Sequence, residues 1–304
     1  MIQKILISVV GPTAIGKTKL AIALANHFKT AIISADSRQF FKEMHVGTAV
    51  PDNEELNAAP HHFIQHKSIF DSYSVGDFEK DAIHLLSTLF TEHNYVIMVG
   101  GSGLYVDAIT KGLDEFPQVD PKIREQLNID LKEKGIDNLQ RRLKTLDKLT
   151  YEKIDIANPH RIIRALEICI GTDKPYSSFL NKKKPLRLFK TITVGLKADR
   201  EIIYNRINQR VDLMLKEGLL EEVEELYSHR TLNALQTVGY RELFNYFKGE
   251  WDLDFAISEI KKNTRRFAKR QLTWFRKNEE IIWFDYEASQ FSIIEKLQTK
   301  LTNR

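Results

Sequence analysis

Residues 11–18 read Gly-Pro-Thr-Ala-Ile-Gly-Lys-Thr, directly after the apolar run Ile-Leu-Ile-Ser-Val-Val at residues 5–10. The stretch fits the pattern G-x-x-x-x-G-K-[ST] at every fixed position. The apolar run predicts a strand and residues 17–27 predict a helix, which is the setting of a phosphate-binding loop, or P-loop. A chance match would lack that setting. The predicted phosphate ligands are Gly11, Pro12, Thr13, Ala14, Ile15, Gly16, Lys17 and Thr18.

The residue types of this loop account for its affinity for phosphate. Glycine lets backbone N–H groups curve around phosphate oxygens, and the amino end of the following helix adds a favourable dipole. Lys17 contributes a point charge, and the Thr18 hydroxyl is a suitable ligand for Mg²⁺. A P-loop does not by itself specify the reaction.

Outward from the loop, apolar strands alternate with amphipathic helices. Strands are predicted at residues 31–34 and 95–99, and a helix at 78–90. The strands lack apolar/polar alternation, which is typical of a parallel sheet buried on both faces. We therefore predict an α/β fold, a P-loop NTPase-like doubly wound parallel sheet. A returning strand (192–196), a late edge strand (281–284) and helices at 201–217, 219–227, 240–247 and 255–277 complete it.

The pattern changes near Phe116. From there the chain is helical, charged and free of strand signals, with Pro117, Pro121 and Pro159 interrupting it. We predict a helical insertion domain over residues 116–159, and a catalytic core formed by residues 1–115 and 160–304.

Composition limits the class of protein. The chain has 304 residues, of which 42% are hydrophobic and 28% charged. No apolar run approaches the roughly 18 residues of a membrane span, and the first run is too short for a signal peptide. The single Cys169 fits a reducing compartment. We therefore expect a cytoplasmic protein with no membrane contact.

Two basic clusters suggest a polyanionic partner. Residues 261–277 contain eight Lys or Arg and no acidic residue, and the second cluster comprises Lys182, Lys183, Lys184, Arg187 and Lys190. Such a local surplus favours nucleic acid. A solvated helix face is the alternative for either cluster.

Asp36 is the acidic residue that follows a predicted strand at the P-loop end of the sheet. The strand at 95–99 instead runs into Gly-Gly-Ser-Gly, without the carboxylate that phosphoryl-transfer P-loop enzymes usually place there. Asp36 is predicted to lie near bound phosphates, as a metal-side group or a general base. The alternative is a helix cap. His61, His62 and His66 are interpreted as a polar loop and not as a zinc site.

Several motifs occur in a fixed order from residue 10 to about 276: GPTAIGKT, SADSRQFF, GTAVP, AAPHHF, VGGSGLY, HRIIRALEI, TVGYRE and TRRFAKRQLTWFR. Together they resemble the pattern of the bacterial tRNA dimethylallyltransferases. The resemblance implies dimethylallyl diphosphate as donor and Mg²⁺ as cofactor. It implies, as acceptor, N6 of the adenosine 3′ of the anticodon in tRNAs that read codons beginning with U. It also implies an inserted helical domain that grips the anticodon stem-loop.

By match to the family's motifs, Asp36 is expected to be the general base, and Arg210 to stabilise the leaving diphosphate. Lys17 and Thr18 complete the expected catalytic set, with Thr18 as the metal ligand. The expected tRNA contacts are Asp36, Ser37, Arg38, Gln39, Ser102, Arg124, His160, Arg161, Ile162, Ile163, Arg164, Gly239, Tyr240 and Arg241.

Two other functions compete with prenyl transfer to tRNA. A P-loop kinase of a small molecule or nucleotide would turn over ATP without RNA, and a non-catalytic RNA-binding P-loop protein would leave Asp36 and Arg210 without a role. We expect the chain to act as a monomer.

Overall fold

The computed structural model describes residues 3–180 and 186–302. Lys182, Lys183 and Lys184 of the second basic cluster lie outside these residues. The sheet has six parallel strands in the order β3-β2-β4-β1-β5-β6. The strands are β1 (Ile5–Val10), β2 (Ile32–Ser34), β3 (His61–His62), β4 (Tyr95–Gly100), β5 (Lys190–Lys197) and β6 (Ile282–Asp285). The predicted parallel α/β fold is confirmed.

Strand β1 lies between β4 and β5 in the sheet, and both faces of its apolar run are covered. Leu6 and Val10 belong to one buried cluster, whereas Ile7 and Val9 belong to another on the opposite face. All four side chains are fully buried, and each contributes about 1.5–3 kcal/mol relative to exposure in water. The loop that follows β1 therefore continues from a strand whose apolar side chains are buried on both faces of the sheet.

Thirteen helices occupy the described residues. They are α1 (Lys17–Phe28), α2 (Asn53–Ala58), α3 (Val75–Glu92), α4 (Gly103–Lys111), α5 (Pro121–Lys134), α6 (Ile136–Leu146), α7 (Lys148–Lys153), α8 (Pro159–Thr172), α9 (Arg200–Lys216), α10 (Leu219–Glu225), α11 (Tyr240–Phe247), α12 (Leu253–Phe275) and α13 (Gln290–Thr302). Local caps explain several starts: Ser74 and Asp77 form a capping box before α3, and Asp52 and Glu55 form another at α2.

The chain forms two compact units. The core unit comprises residues 1–111 and 187–304, and the helical unit comprises residues 112–186. The predicted boundary after residue 159 is therefore wrong. Helix α8, predicted to lie in the core, supplies Ile162, Ile163 and Leu166 to the apolar cluster of the helical unit, where they join Leu127, Leu139 and Leu143.

Other local expectations are corrected by the structure. His61 and His62 form the edge strand β3 instead of a loop, paired with β2. On α12 the aromatic side chains of Phe267 and Trp274 are 37% and 38% exposed. Trp274 is held at the surface because its Nε1 donates to Asp107 Oδ2 at 3.0 Å. Cys169 is buried.

Among the described residues, no helix combines the length and the apolar character that a membrane crossing requires.

The two ends of the core unit at the insertion lie close together. Arg187 Nη2 donates to the carbonyl of Ala108 at 2.7 Å and also pairs with Glu79. Residue 187, where the chain re-enters the core unit, is therefore next to the end of α4, where the chain leaves it. A short linker can bridge this distance.

We predict that replacing residues 112–186 with a short Gly/Ser linker leaves a cooperatively folded core unit. The sheet and both of its apolar clusters consist of core-unit residues. Thermal unfolding followed by near-ultraviolet circular dichroism tests this. The isolated helical unit is the companion sample, and it should show helical far-ultraviolet dichroism. A core unit that melts without a cooperative transition would contradict the prediction.

Candidate active site

The P-loop needs glycine at both of its fixed positions. Gly11 has φ of 149°, and a Cβ added there would lie 2.8 Å from the carbonyl oxygen of Leu196 on β5. Gly16 has φ of 105° and immediately precedes α1. Other residues rarely adopt these conformations, so the sequence pattern reflects a backbone requirement. The loop is consequently pressed against β5 while its amides face the crevice at the carboxyl end of the sheet.

Lys17 lies at the amino end of α1, with its Nζ donating to the carbonyl of Pro12 at 2.7 Å. Burial lowers the pKa of Lys17 to about 8; the Asp36 carboxylate opposes this shift and the Arg210 guanidinium adds to it. A lysine with such a pKa gains much from an anion placed beside its ammonium group. The site is therefore prepared for a phosphate ligand.

A cavity of about 450 Å³, here called the phosphate cavity, opens on the P-loop. Its wall includes residues 13–19, Asp36, Gln209 and Arg210. Arg206 on α9 also lines it, and its Nε donates to the carbonyl of Ala14 at 2.7 Å. This bond fixes a loop residue whose φ is +62°. The phosphate cavity thus combines cationic side chains with a rigid loop.

Asp36 follows β2 and is half-buried. Its Oδ1 accepts a hydrogen bond from the backbone N–H of Arg38 at 3.2 Å, and its own N–H donates to Ser34 Oγ at 3.3 Å. The chain continues through turns instead of a helix, so the interpretation of Asp36 as a helix cap is wrong. The carboxylate is held by a local turn and lines the crevice.

A second cavity of about 340 Å³ adjoins the first. The two share five wall residues, namely Thr13, Asp36, Thr48, Ala49 and Arg210. The second cavity is partly apolar, with Ile207, Val211, Met214, Leu219 and Ile260 on its wall, and partly polar, with Ser37, Arg38, Gln236 and Arg241. A carboxylate and a guanidinium therefore lie where a phosphate-binding compartment meets a compartment suited to an aromatic heterocycle.

Arg210 is presented by α9, on the same helical face as the buried Ile207 and Val211. Burial lowers the pKa of Arg210, and Asp36 is the first charge that opposes this shift. An arginine keeps its charge in proteins, so the site holds a buried cation beside the P-loop. This arrangement suits stabilisation of a developing anion.

Most of the predicted RNA contacts of the core unit line the second cavity, whereas Gln39 lines the phosphate cavity, and several of these residues have partners within the protein. Arg38 donates to the carbonyls of Asn233 and Ala234, at 3.2 and 2.8 Å. Gln39 donates to the carbonyl of Ala49 at 2.8 Å. Ser37 and Ser102 contact each other through their hydroxyls at 3.3 Å. These side chains therefore line the cavities and also stabilise the cavity walls through hydrogen bonds within the protein.

The three residues 239–241 differ in their exposure to solvent. Gly239 begins α11, and Arg241 is exposed on the second cavity. Tyr240 is fully buried, and its hydroxyl donates to Glu222 Oε1 at 2.6 Å. The expected contact between the Tyr240 side chain and RNA is therefore wrong, because the phenol forms part of the core.

The remaining predicted RNA contacts lie on α5 and α8 of the helical unit. Ile162 and Ile163 are buried, 0% and 3% exposed, so side-chain contacts from them to RNA are excluded. His160 and Arg161 are exposed in the first turn of α8. Arg124 and Arg164 both pair with Glu167, at 2.6 and 2.8 Å. That carboxylate fixes the two guanidinium groups on one surface.

Helix α12 presents its basic residues in two groups. In the first half, Lys261 pairs with Asp212 at 2.5 Å, Lys262 pairs with Glu259, and Arg265 donates to Asn208 at 2.8 Å. Lys269, Arg270, Arg276 and Lys277 are exposed and take part in no ion pair within the described residues. This exposed group, here called the α12 basic surface, is available to a polyanion.

Three residues of the site are not found by sequence reasoning: Arg206, Glu222 and Gln271. Glu222 accepts from the backbone N–H groups of His45, Val46 and Gly47, at 2.7–2.9 Å. It thereby holds the segment that continues into Thr48 and Ala49. Gln271 lies inside the quoted motif TRRFAKRQLTWFR, and its polar side chain on a buried helical face is the one available signal.

The donor set fits a Mg²⁺ ion held mainly by substrate oxygens. Within the described residues, no group of three or more His, Cys, Asp or Glu could hold a metal. Mg²⁺ usually keeps several waters and binds through one or two protein groups together with substrate phosphates. Thr18 and Asp36 line the phosphate cavity and satisfy that requirement.

The fold and the shared wall of the two cavities define a P-loop enzyme of group transfer. The family model described as IPP transferase matches residues 39–278, and the chain belongs to this family. It is 65% identical over 296 residues to the tRNA dimethylallyltransferase of Christiangramia forsetii, covering 97% of this chain and 98% of that protein.

Two solved structures extend the comparison. The full-length tRNA isopentenylpyrophosphate transferase of Bacillus halodurans has 35% identity and a TM-score of 0.74, over 99% of this chain and 97% of that chain. A eukaryotic dimethylallyltransferase acting on tRNA has 25% identity and a TM-score of 0.83, over 99% of this chain and 80% of that chain. The similarity therefore extends over nearly the whole described fold.

We predict that an alkyl diphosphate binds best below pH 8. Its terminal phosphate ionises near pH 6, as phosphate monoesters do, so Lys17 is the group that titrates above pH 7.5. Because the pKa of Lys17 is about 8, affinity should be nearly constant between about pH 6.5 and 7.5, where the phosphate is ionised and Lys17 is charged, and fall up to about tenfold per pH unit above pH 8. Binding near pH 8.5 should take up a proton.

Calorimetry in buffers of different ionisation enthalpy measures the affinity and the proton uptake together. Lys17→Arg is the matched control, since arginine stays charged, and its affinity should vary little between pH 7 and 9.5. Equal pH profiles for the two proteins would contradict the role of Lys17.

Proposed function

We propose that this protein transfers the dimethylallyl group of dimethylallyl diphosphate to N6 of the adenosine 3′ of the anticodon, in tRNAs that read codons beginning with U. The observation that carries the proposal is the shared wall: Asp36 and Arg210 line both the phosphate cavity and the second cavity. A base and a cation at that position suit a reaction between a diphosphate donor and a heterocyclic acceptor. We further propose that the protein acts as a monomer in the cytoplasm, where its tRNA substrate would be found.

The donor diphosphate would occupy the phosphate cavity. Backbone amides of the P-loop and Lys17 would bind its oxygens, and Thr13 and Thr18 would add donors. A diphosphate uses the same loop that other P-loop proteins use for a nucleoside triphosphate. The kinase alternative is disfavoured because β4 ends in Gly100, Gly101 and Ser102, so the carboxylate that usually assists phosphoryl transfer is absent from this strand end.

The acceptor adenine would enter the second cavity. Phe267, exposed on its wall, offers an aromatic face for stacking, and Arg38, Gln236 and Arg241 offer polar groups. An adenosine in the anticodon loop must leave its stack to react, and stacking and edge hydrogen bonds offset that cost. We therefore propose this wall as the site of base stacking.

In the proposed reaction, the N6–C bond forms as the allylic C–O bond breaks. The bonding pair of that C–O bond leaves with the diphosphate, and the N6 proton goes to the Asp36 carboxylate. The exocyclic amine is a weak nucleophile because its lone pair is delocalised, so a base placed beside it contributes about 10²–10⁴-fold. Arg210 and Lys17 would stabilise the negative charge that develops on the departing diphosphate.

Mg²⁺ would be held by the Thr18 hydroxyl together with diphosphate oxygens. Bound there, it would neutralise charge on the diphosphate. The chain's own residues orient the donor and accept the proton.

Each unit, considered by itself, carries exposed cations that would bind RNA. The α12 basic surface of the core unit offers four exposed cations, and His160 and Arg161 of the helical unit lie exposed beside the Arg124–Glu167–Arg164 cluster. Contacts of this kind bind the phosphate backbone and set the orientation of the RNA.

The decisive test is incubation of the protein with labelled dimethylallyl diphosphate, Mg²⁺ and unmodified tRNA. We expect label in tRNA and, after digestion, in an N6-prenylated adenosine next to the anticodon. ATP turnover without RNA would favour the kinase instead. Binding of tRNA without transfer of label would favour the non-catalytic alternative.

We predict that Asp36→Asn lowers turnover by about 10²–10⁴-fold, the contribution typical of a general base. The amide keeps the shape of the side chain but cannot take up the proton. Binding of the donor diphosphate should not weaken, because the substitution removes a negative charge from the wall of the phosphate cavity, and single-turnover kinetics with calorimetry measure the two effects separately. Near-normal turnover at saturating substrates would remove Asp36 from the role of base.

We predict that binding of tRNA weakens steeply with added salt, because Lys and Arg contacts to phosphates release counterions. Lys269→Glu and Arg270→Glu should each lower the slope of log affinity against log salt, by about one for each lost contact. Lys261→Glu is the matched control, since Lys261 is paired with Asp212. Unchanged slopes at residues 269 and 270 would assign the α12 basic surface to solvation alone.

A further inference from the structure

Gln271 joins two loops of the active site through one buried side chain. It lies on α12 and is 5% exposed. Its Oε1 accepts a hydrogen bond from the backbone N–H of Thr13 in the P-loop, at 2.8 Å, and its Nε2 donates to the carbonyl of Gly101 after β4, at 3.0 Å. The oxygen and the nitrogen of the side-chain amide are therefore both hydrogen-bonded, one to the loop after β1 and the other to the loop after β4.

Gly101 fits around this amide closely. A Cβ added at Gly101 would lie 2.2 Å from Gln271 Nε2, a distance that no side chain could tolerate without moving the glutamine. The absence of a side chain at residue 101 therefore permits the bond. The pairing of a buried glutamine with this glycine is a specific fit between α12 and the end of β4.

The connection continues from Gly101 to the Asp36 turn. Ser102 follows Gly101, and its Oγ accepts from the backbone N–H of Ser37 at 3.4 Å and contacts Ser37 Oγ at 3.3 Å. Ser37 is the neighbour of Asp36. The hydrogen bonds thus run from the P-loop after β1, through the loop after β4, to the turn after β2.

The order of the strands explains why these hydrogen bonds between the loops matter for the site. Strands β1 and β2 do not pair with each other, because β4 lies between them. The P-loop follows β1 and Asp36 follows β2, on either side of β4. The position of the P-loop relative to Asp36 therefore depends on the loop after β4. Gln271 is the side chain that ties that loop to the P-loop.

We propose that Gln271 is a positioning residue for the transfer reaction: it fixes the distance between the P-loop, which holds the donor diphosphate, and Asp36, which receives the proton. This inference rests on the proposed function. A misplacement of about 1 Å can cost about 10²-fold in rate. Loss of the bridge should consequently lower kcat while the individual affinities, set by other groups, change little.

The test compares Gln271→Met, Gln271→Glu and Gly101→Ala with the natural chain in the labelled transfer assay. Methionine has a similar volume but makes neither hydrogen bond, so kcat should fall about 10- to 100-fold and the KM for the donor should change less than about threefold. Glutamate keeps an acceptor for Thr13 but turns its second carboxylate oxygen towards the carbonyl oxygen of Gly101, which repels it, so kcat should fall at least as far as in Gln271→Met. Thr273→Ala is the matched control, since its exposed hydroxyl contacts only Lys269 of the same helix.

Gly101→Ala disturbs the same bridge from its other end. The double variant Gly101→Ala/Gln271→Met should be no slower than the slower single variant, because the two changes remove one shared interaction. Additive losses in kcat would overturn the inference, as would a raised donor KM with kcat unchanged. Should Gln271→Met fail to fold, the same comparison with Gln271→Glu decides.

A second measurement does not depend on the reaction. Amide hydrogen exchange at Thr13 should be slow in the natural chain and faster in Gln271→Met, but not in Thr273→Ala. Equal exchange rates at Thr13 would overturn the inference. If the natural chain exchanges as expected but transfers no label, the proposed function fails while the bridge stands.

Discussion

The parallel pairing of β1 with β4 and β5 is the constraint on which the site depends. Because these strands run in one direction, the P-loop, the Gly101–Ser102 loop and the Asp36 turn all emerge at the same edge of the sheet. Burial of both faces of β1 makes that edge rigid. The Gly11 backbone lies so close to Leu196 that β5, too, limits where the loop can go.

Several charged side chains lie partly buried at that edge of the sheet, and their arrangement determines the chemistry of the site. The charge of Asp36 opposes the lowering of the pKa values of both Lys17 and Arg210, and a dianionic or trianionic ligand completes the charge balance of the site. Without the carboxylate, two neighbouring cations, Lys17 and Arg210, would line the same cavity with no opposing charge from Asp36. Asp36 therefore contributes to the resting electrostatics of the site in addition to its proposed role as base.

Local signals predicted much of this structure. The run Ile5–Val10 and the glycine pattern are properties of adjacent residues, so the central strand and the P-loop could be recognised directly. The Gln271 bridge could not, since it joins residues 258 apart in sequence. Helix α8 has an apolar face that suits either unit, so sequence could not decide which core it enters. The exposure of Trp274 depends on Asp107, a partner on another helix. The expected contacts with tRNA and with Mg²⁺ stay predictions.

The chain re-enters the core unit beside the place where it left, and this has an evolutionary consequence. A segment with adjacent ends can lengthen, shorten or diverge without displacing the strands on either side of it. Changes in the helical unit can then accumulate without disturbing the P-loop or Asp36, which lie in the core unit. The eukaryotic dimethylallyltransferase structure, of which this chain covers 80%, shows that the same fold accommodates additional sequence. An enzyme built in this way can acquire new substrates through its insertion before it changes any residue that touches the donor.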